Sequence, residues 1–359
     1  VAGIDHEIPQ LRLNLAALEH NIALMSRWCL TQGWLLCPHI KTTMTRPIVE
    51  RQIAAGAWGV TVATVTQAAV ALRWGLRRIL IANEVVTEHD LARLRGWLDT
   101  VPDLELYVFV DSGAGVDRAR RAMSGTGNRL GVIVDVGTGG ARTGVRDIHT
   151  AREVAAGCRH ADGLRLAGVG GYEGVQRNER DEVTLGAVDA HIDRAVAVLD
   201  ELVGEIELPL FTMGGSAFPD RVVAVLGRLA PHVRPVLRSG CYVTHDHGTY
   251  ARVSPIAGLR AALTVRAAVL STPEPGLAVL GAGKRELAYD AGLPVVLGAR
   301  ARAATIFDHH LVLTGADGIQ VGDLVDLGIS HPCSVFDRWR QIAVTDRDRI
   351  IDVWRPEFD

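Results

Sequence analysis

Arg78-Ile79-Leu80-Ile81-Ala82 is a short strand candidate whose apolar residues run consecutively, without alternation. A strand with one face in water alternates, whereas a parallel strand covered on both faces does not. Similar apolar runs fall near 34–37, 59–63, 105–110, 130–135, 164–169, 208–213 and 234–238. Longer amphipathic stretches separate them, for example 44–55, 87–99, 147–159 and 182–203, with Asp111-Ser112 and Asp147 as helix N-cap candidates. Eight strands alternating with helical segments predict an α/β fold, a closed (β/α)8 TIM-type barrel, with an open doubly wound sheet as the alternative. After about residue 240 the pattern changes. Leu259–Leu270, Ala278–Leu280, Pro294–Ala304, Leu311–Thr314, Asp323–Leu327, Gln341–Thr345 and Ile350–Trp354 are short, strand-like and punctuated by Gly, Pro and Asp. They predict a C-terminal, mostly antiparallel β domain, which Leu11-Arg12-Leu13-Asn14 is placed to join. The expected division is a barrel over 15–240 and a β domain made of 1–14 plus 241–359.

Composition narrows the function classes. Hydrophobic residues make up 48% and charged residues 22%, ordinary values for a globular protein. Net charge is −3, the pI is near 6.5 and no basic stripe appears, so neither nucleic acid nor an anionic membrane is an expected partner. No run of about 18 apolar residues is present to span a bilayer. The opening Val1–Gln10 carries acids and no basic stretch, so a signal peptide is not expected. Cys29, Cys37, Cys158, Cys241 and Cys333 are scattered, without zinc-pair or disulfide spacing, which suits a reducing cytoplasm.

Lysine occurs only at Lys41 and Lys284. An arginine-for-lysine coding bias explains the scarcity but not the position of Lys41, directly after the apolar run Trp34-Leu35-Leu36-Cys37. A lysine at the mouth of such a strand is expected to be partly desolvated, with its amine available for a Schiff base. Barrel enzymes carry their chemistry at the C-terminal ends of the strands, often with phosphate held after strands seven and eight. Two Gly/Ser loops fall there, Met213-Gly214-Gly215-Ser216 and Arg238-Ser239-Gly240-Cys241. Their N–H groups and hydroxyls suit a phosphate dianion, although barrel ends need glycine for tight turns in any case. A lysine and a phosphate site together point to pyridoxal 5'-phosphate (PLP). Farther on, His331-Pro332-Cys333 sets an imidazole and a thiol two residues apart. In an extended segment those side chains point the same way, and the pair favours zinc, with manganese or magnesium as the other divalent candidates. His245, His247, His309 and His310 are substrate or supporting candidates, and equally ordinary surface histidines. Lys284 reads as an interdomain or interface residue.

The motif Pro38-His39-Ile40-Lys41-Thr42-Thr43-Met44 resembles the cofactor-lysine segment of the D-serine dehydratase/D-threonine aldolase family, which has an alanine-racemase-like barrel. Further matches follow in order: Gly56–Thr64, Gly170-Gly171-Tyr172-Glu173-Gly174, Gly214-Gly215-Ser216, Arg238–Gly248, Gly283-Lys284-Arg285 and Ser330-His331-Pro332-Cys333. The likeness covers nearly the whole chain and is greatest to bacterial members labelled amino-acid deaminases. It implies that Lys41 carries the cofactor and exchanges the proton at the substrate α-carbon. It implies that Ser216, Gly240 and Cys241 hold the phosphate, with Gly215 and Ser239 nearby. Arg142 would face the phenolate oxygen and Tyr172 the pyridine nitrogen. His331 and Cys333 would hold the metal that acts on a substrate β-hydroxyl. The implied reaction is dehydration of a small β-hydroxy D-amino acid such as D-serine or D-threonine to a 2-keto acid and ammonia. Related aldolases, which cleave to glycine and an aldehyde, tend to have a carboxylate where this chain has Cys333. A racemase would need a second acid/base, for which Tyr250 and Tyr289 are the candidates. A non-catalytic cofactor carrier of this fold would lack the β domain. The resemblance also implies a homodimer.

Overall fold

The computed structural model describes residues 7–159 and 161–359; the start of the acidic N-terminal stretch lies outside them. The chain divides into two compact units. One takes in Ser26–Lys41, Gln52–Gly240 and Asp359; the other takes in Val1–Met25, Thr42–Arg51 and Cys241–Phe358. Strand β1 (Gln10–Asn14) belongs to the second unit.

In the first unit eight parallel strands follow one another around a sheet: β2 (Leu35–Leu36), β3 (Val60–Val62), β4 (Arg78–Glu84), β5 (Glu105–Val110), β6 (Leu130–Val136), β7 (Leu164–Gly171), β8 (Leu210–Met213) and β9 (Arg234–Leu237). Their spatial order is β2-β9-β8-β7-β6-β5-β4-β3. The two ends of that order meet. His39 forms a parallel bridge with Thr61, Trp58 N–H donates to Leu36 O (2.7 Å), and Thr61 N–H donates to Pro38 O (2.9 Å). The sheet is therefore a closed barrel rather than an open doubly wound sheet.

Consecutive apolar residues in β4 are explained by the closure. Leu80 joins Cys37, Tyr107, Phe109, Ile133, Ala167, Leu210 and Val236 in one buried cluster, while Ile79 and Ile81 are buried alongside it. Each such side chain contributes about 1.5–3 kcal/mol on burial. The surrounding helices start on side-chain caps: Thr64 accepts from Gln67 N (3.2 Å), Ser112 from Gly115 N (3.3 Å), Asp147 from Thr150 N (2.8 Å) and Asp181 from Thr184 N (2.8 Å).

The second unit is built on a sheet ordered β13-β14-β11-β10-β1-β16-β17, where β10 is Leu263–Glu274, β11 Leu277–Leu280, β13 Arg302–Ile306, β14 Leu311–Thr314, β16 Ile342–Asp346 and β17 Arg349–Trp354. Strands β12 (Val295–Val296) and β15 (Leu324–Gly328) attach through β10. All pairings are antiparallel except β1 with β16. The expected strand over Pro294–Ala304 is two short ones, because the chain leaves the ladder at Gly298, just after Leu297 N–H donates to Asp326 O (2.9 Å).

Candidate active site

Five loops of the barrel unit carry the expected cofactor residues, each just beyond the C-terminal end of a strand. Lys41 lies in a single 3-10 turn, Ile40–Thr42, after β2. Arg142 lies in the loop after β6, and Tyr172 directly after β7. Gly215 and Ser216 follow β8, and Ser239 and Gly240 follow β9.

Contacts link these loops in series, from Arg142 to His39. The Arg142 guanidinium sits over the Tyr172 ring, 5.4 Å from its centroid. A Cβ added to Gly215 would lie 3.0 Å from Tyr172 Cε2. Ser239 Oγ donates to Gly215 O (2.7 Å). A Cβ on Gly240 would lie 2.2 Å from the His39 carbonyl oxygen, so only glycine fits there. His39 N–H in turn donates to Arg238 O (3.1 Å), and Lys41 follows two residues later. His39 is half-buried, and its Nδ1, which is out of contact with solvent, has no partner among the described residues. Burial first, then the charges of Lys41, Arg238 and Arg142, hold its imidazole well below the usual histidine range. The positive charges of Lys41, Arg238 and Arg142 all act on His39, a local balance suited to an anionic group such as a phosphate or a phenolate. The narrow glycine positions and this positive balance fit PLP.

Two expectations need correction. Lys41 is exposed, so the apolar strand does not enclose its amine; the turn carries it past the end of β2. The Gly214–Gly215 amides are not free donors. Both are taken by Glu173, whose Oε1 accepts from Gly215 N (2.6 Å) and Oε2 from Gly214 N (3.2 Å). Gly214 adopts φ +108°, which lets the two amides turn toward one carboxylate. Glu173 is fully buried; burial pushes its carboxyl up, opposed by these amides and by the charge of Arg238. Arg238 itself is locked between strands, donating to Thr212 O (2.6 Å), Thr212 Oγ1 (2.8 Å) and Gly171 O (2.5 Å).

The loop bearing Arg142 is tied to its neighbours by two carboxylates. Asp135 accepts from Thr143 Oγ1 (2.9 Å) and Asp111 from Gly144 N (2.9 Å). Asp135 and Glu84 both have raised carboxyls, burial being the main cause.

The expected metal pair lies in the β unit. His331 is extended (φ −157°, ψ 122°), but Pro332–Ser334 form a 3-10 turn, so the pair is brought together by that turn rather than by an extended segment. The ring of His331 is held by Asp290, whose Oδ2 lies 2.7 Å from Nδ1, and Asp290 Oδ1 also accepts from Ser334 Oγ (2.8 Å). Cys333 Sγ lies 3.2 Å from Cys241 Sγ, and Thr42 Oγ1 is 3.7 Å and 3.8 Å from the two sulfurs. The hydrogen bond from Cys241, then His331, hold the Cys333 thiol low, while the same bond and burial push Cys241 up. Burial lowers His331, but Cys333 and Asp290 outweigh it and raise the imidazole to about 9. The Tyr250 ring packs 5.9 Å from that of His331. Among the described residues no group of three or more His, Cys, Asp or Glu is arranged to hold a metal ion. His331 and Cys333 are the imidazole and thiol donors that this turn offers to a divalent metal.

The thiol of Cys241, a residue expected at the phosphate, faces Cys333, which leaves its backbone for that role. His245 and His247 are partly or largely buried, and burial lowers both. His309 is bonded to Glu286 (2.8 Å) and His310 is exposed. Lys284 Nζ lies 5.7 Å from the Tyr289 ring centroid, within the β unit. Glu173 and Asp290 were not singled out beforehand. Glu173 stands inside a quoted motif, whereas Asp290 lies 41 residues before His331, a spacing that carries no local signal.

Comparison with known proteins agrees with this architecture. The family profile described as "Alanine racemase, N-terminal domain" matches residues 13–219, and "Putative serine dehydratase domain" matches 262–345. A D-threonine aldolase from Arthrobacter sp. is 29% identical over 97% of this chain and 91% of its own length. A D-threo-3-hydroxyaspartate dehydratase from Delftia sp. (strain HT23) is 29% identical over 80% of this chain and 74% of its own. The crystal structure of D-threonine aldolase from Filomicrobium marinum superposes with a TM-score of 0.86 at 27% identity, covering 98% of this chain and 96% of that one. The chain belongs to the D-serine dehydratase/D-threonine aldolase family, the alanine-racemase-like PLP-dependent lyases.

Proposed function

We propose that this protein is a PLP- and divalent-metal-dependent lyase that dehydrates D-serine or D-threonine to a 2-keto acid and ammonia. The observation that carries the reading is the series of contacts from His39, two residues before Lys41, through Gly240, Ser239, Gly215 and Tyr172 to Arg142. PLP supplies an electron sink that acidifies the substrate α-carbon, and zinc supplies a Lewis acid for the β-hydroxyl. Lys41 is the residue that would join the cofactor and take the proton from the α-carbon. Arg142 would neutralise the phenolate. Tyr172, a neutral partner at the pyridine side, would leave the sink weaker than a carboxylate partner does. Ser216, Gly240 and the backbone of Cys241 would receive the phosphate. His331 and Cys333 would hold the metal, with Asp290 fixing the tautomer that leaves Nε2 as donor. A reducing cytoplasm and a homodimer complete the proposal; among the described residues no helix is long and apolar enough to cross a membrane.

Retro-aldol cleavage to glycine and an aldehyde is the second reading, favoured by the two similar proteins named D-threonine aldolase. The thiol at Cys333 favours dehydration, since the family resemblance associates a carboxylate there with aldolases. Purified protein assayed with D-serine and D-threonine separates the readings. Keto acid with ammonia, lost on chelation and restored by zinc, is expected; glycine with aldehyde establishes cleavage instead. Lys41→Ala is expected to abolish the covalent cofactor adduct that borohydride traps in the wild type, read by peptide mass.

A further inference from the structure

The carboxylate of Glu173 takes up the two loop amides that the sequence offered to a phosphate. It is fully buried, cannot contact a phosphate without like-charge repulsion, and accepts from both Gly214 N and Gly215 N. Tyr172 immediately precedes it, and the Tyr172 ring lies against Gly215. Ser239, from the other phosphate loop, donates to the carbonyl of the same Gly215. Gly215 is thus clamped at both its N–H and its C=O before any ligand arrives. From this geometry we infer that Glu173 is a positioning residue that presets the Gly214–Ser216 loop for the cofactor phosphate and couples it to the Tyr172 side of the site. The inference rests on the PLP reading above.

A preset loop lowers the ordering cost of binding, and only for a ligand that uses the loop. Glu173→Gln is the sharp substitution. It preserves volume, yet an amide has one oxygen acceptor, and its NH2 would face a backbone N–H. The affinity of cofactor-free protein should be measured for PLP and for pyridoxal, which lacks the phosphate. The wild type should prefer PLP strongly. In Glu173→Gln that preference should shrink about tenfold or more, with pyridoxal binding nearly unchanged, the expected effect of one misplaced buried hydrogen bond. An unchanged preference ratio overturns the inference while leaving the cofactor reading standing. A wild type that binds neither compound at Lys41 overturns both. A general loss of folding would weaken both ligands alike, and hydrogen exchange on the wild type then decides. The Gly214 and Gly215 amides should exchange slowly even without cofactor. Exchange at unprotected rates overturns the inference.

Discussion

His331 shows how a single partner can define a ligand. An imidazole can present either nitrogen, and the 2.7 Å contact between Nδ1 and Asp290 fixes Nδ1 as the protonated side. Asp290→Ala should therefore weaken zinc binding by about 10–100-fold, the usual effect of losing such a support. Competition against a chromophoric chelator measures this, and equal affinities in variant and wild type would remove Asp290 from the site. At this scale the sequence was legible in part. Residue types and order along the chain pointed to Lys41 and the two Gly/Ser loops, because each follows a strand, whereas Arg142 and Tyr172 rested on the family resemblance. They could not show that Lys41 is exposed, nor that Glu173 holds the first loop, since both depend on how a turn leaves its strand. Nor could they show where the Cys241 thiol points: it lies in the 3-10 turn over Cys241–Val243 and faces Cys333.

At the level of elements, apolar runs without alternation located the barrel strands to within a few residues, because burial on both faces favours apolar residues at most positions of each strand. The lengths were less legible. Strand β2 contributes only two ladder residues, and closure beyond it depends on irregular contacts between 36–39 and 58–61. Thr61 is central to that seam: buried, it donates from Oγ1 to Cys37 O (2.7 Å) and pairs with His39. Thr61→Val keeps the shape and the β preference but strands the Cys37 carbonyl. The expected cost is about 1–2 kcal/mol, read from the urea midpoint with an unchanged slope. No loss of stability would mean that backbone pairing alone closes the barrel.

Over the whole molecule, buried titratable groups pull the proton balance both ways. Burial lowers His39, His191, His245 and His247, so their neutral forms are folded forms. Burial raises Glu84, Asp135, Glu173 and Asp246, whose neutral forms are likewise favoured by the fold. As pH falls from 7, the histidines protonate more readily in the unfolded chain and subtract stability. Over the same range the carboxyls protonate more readily in the folded chain and add it. One group must be isolated to reveal either contribution. His191 is suited to this, being almost fully buried, bonded through Nδ1 to Thr138 Oγ1 (2.7 Å), and depressed to about 4 chiefly by burial. Its contribution is present in full above the unfolded value of about 6.5 and is lost as pH falls toward 4. Replacing it by glutamine, His191→Gln, removes the titration and leaves a group able to bond Thr138. The stability difference between wild type and variant should shift by about 2–3 kcal/mol in the variant's favour between pH 7 and pH 4.5. Chemical denaturation at the two pH values measures that shift, and a difference that stays constant would show that His191 takes up its proton as readily in the fold as in the open chain.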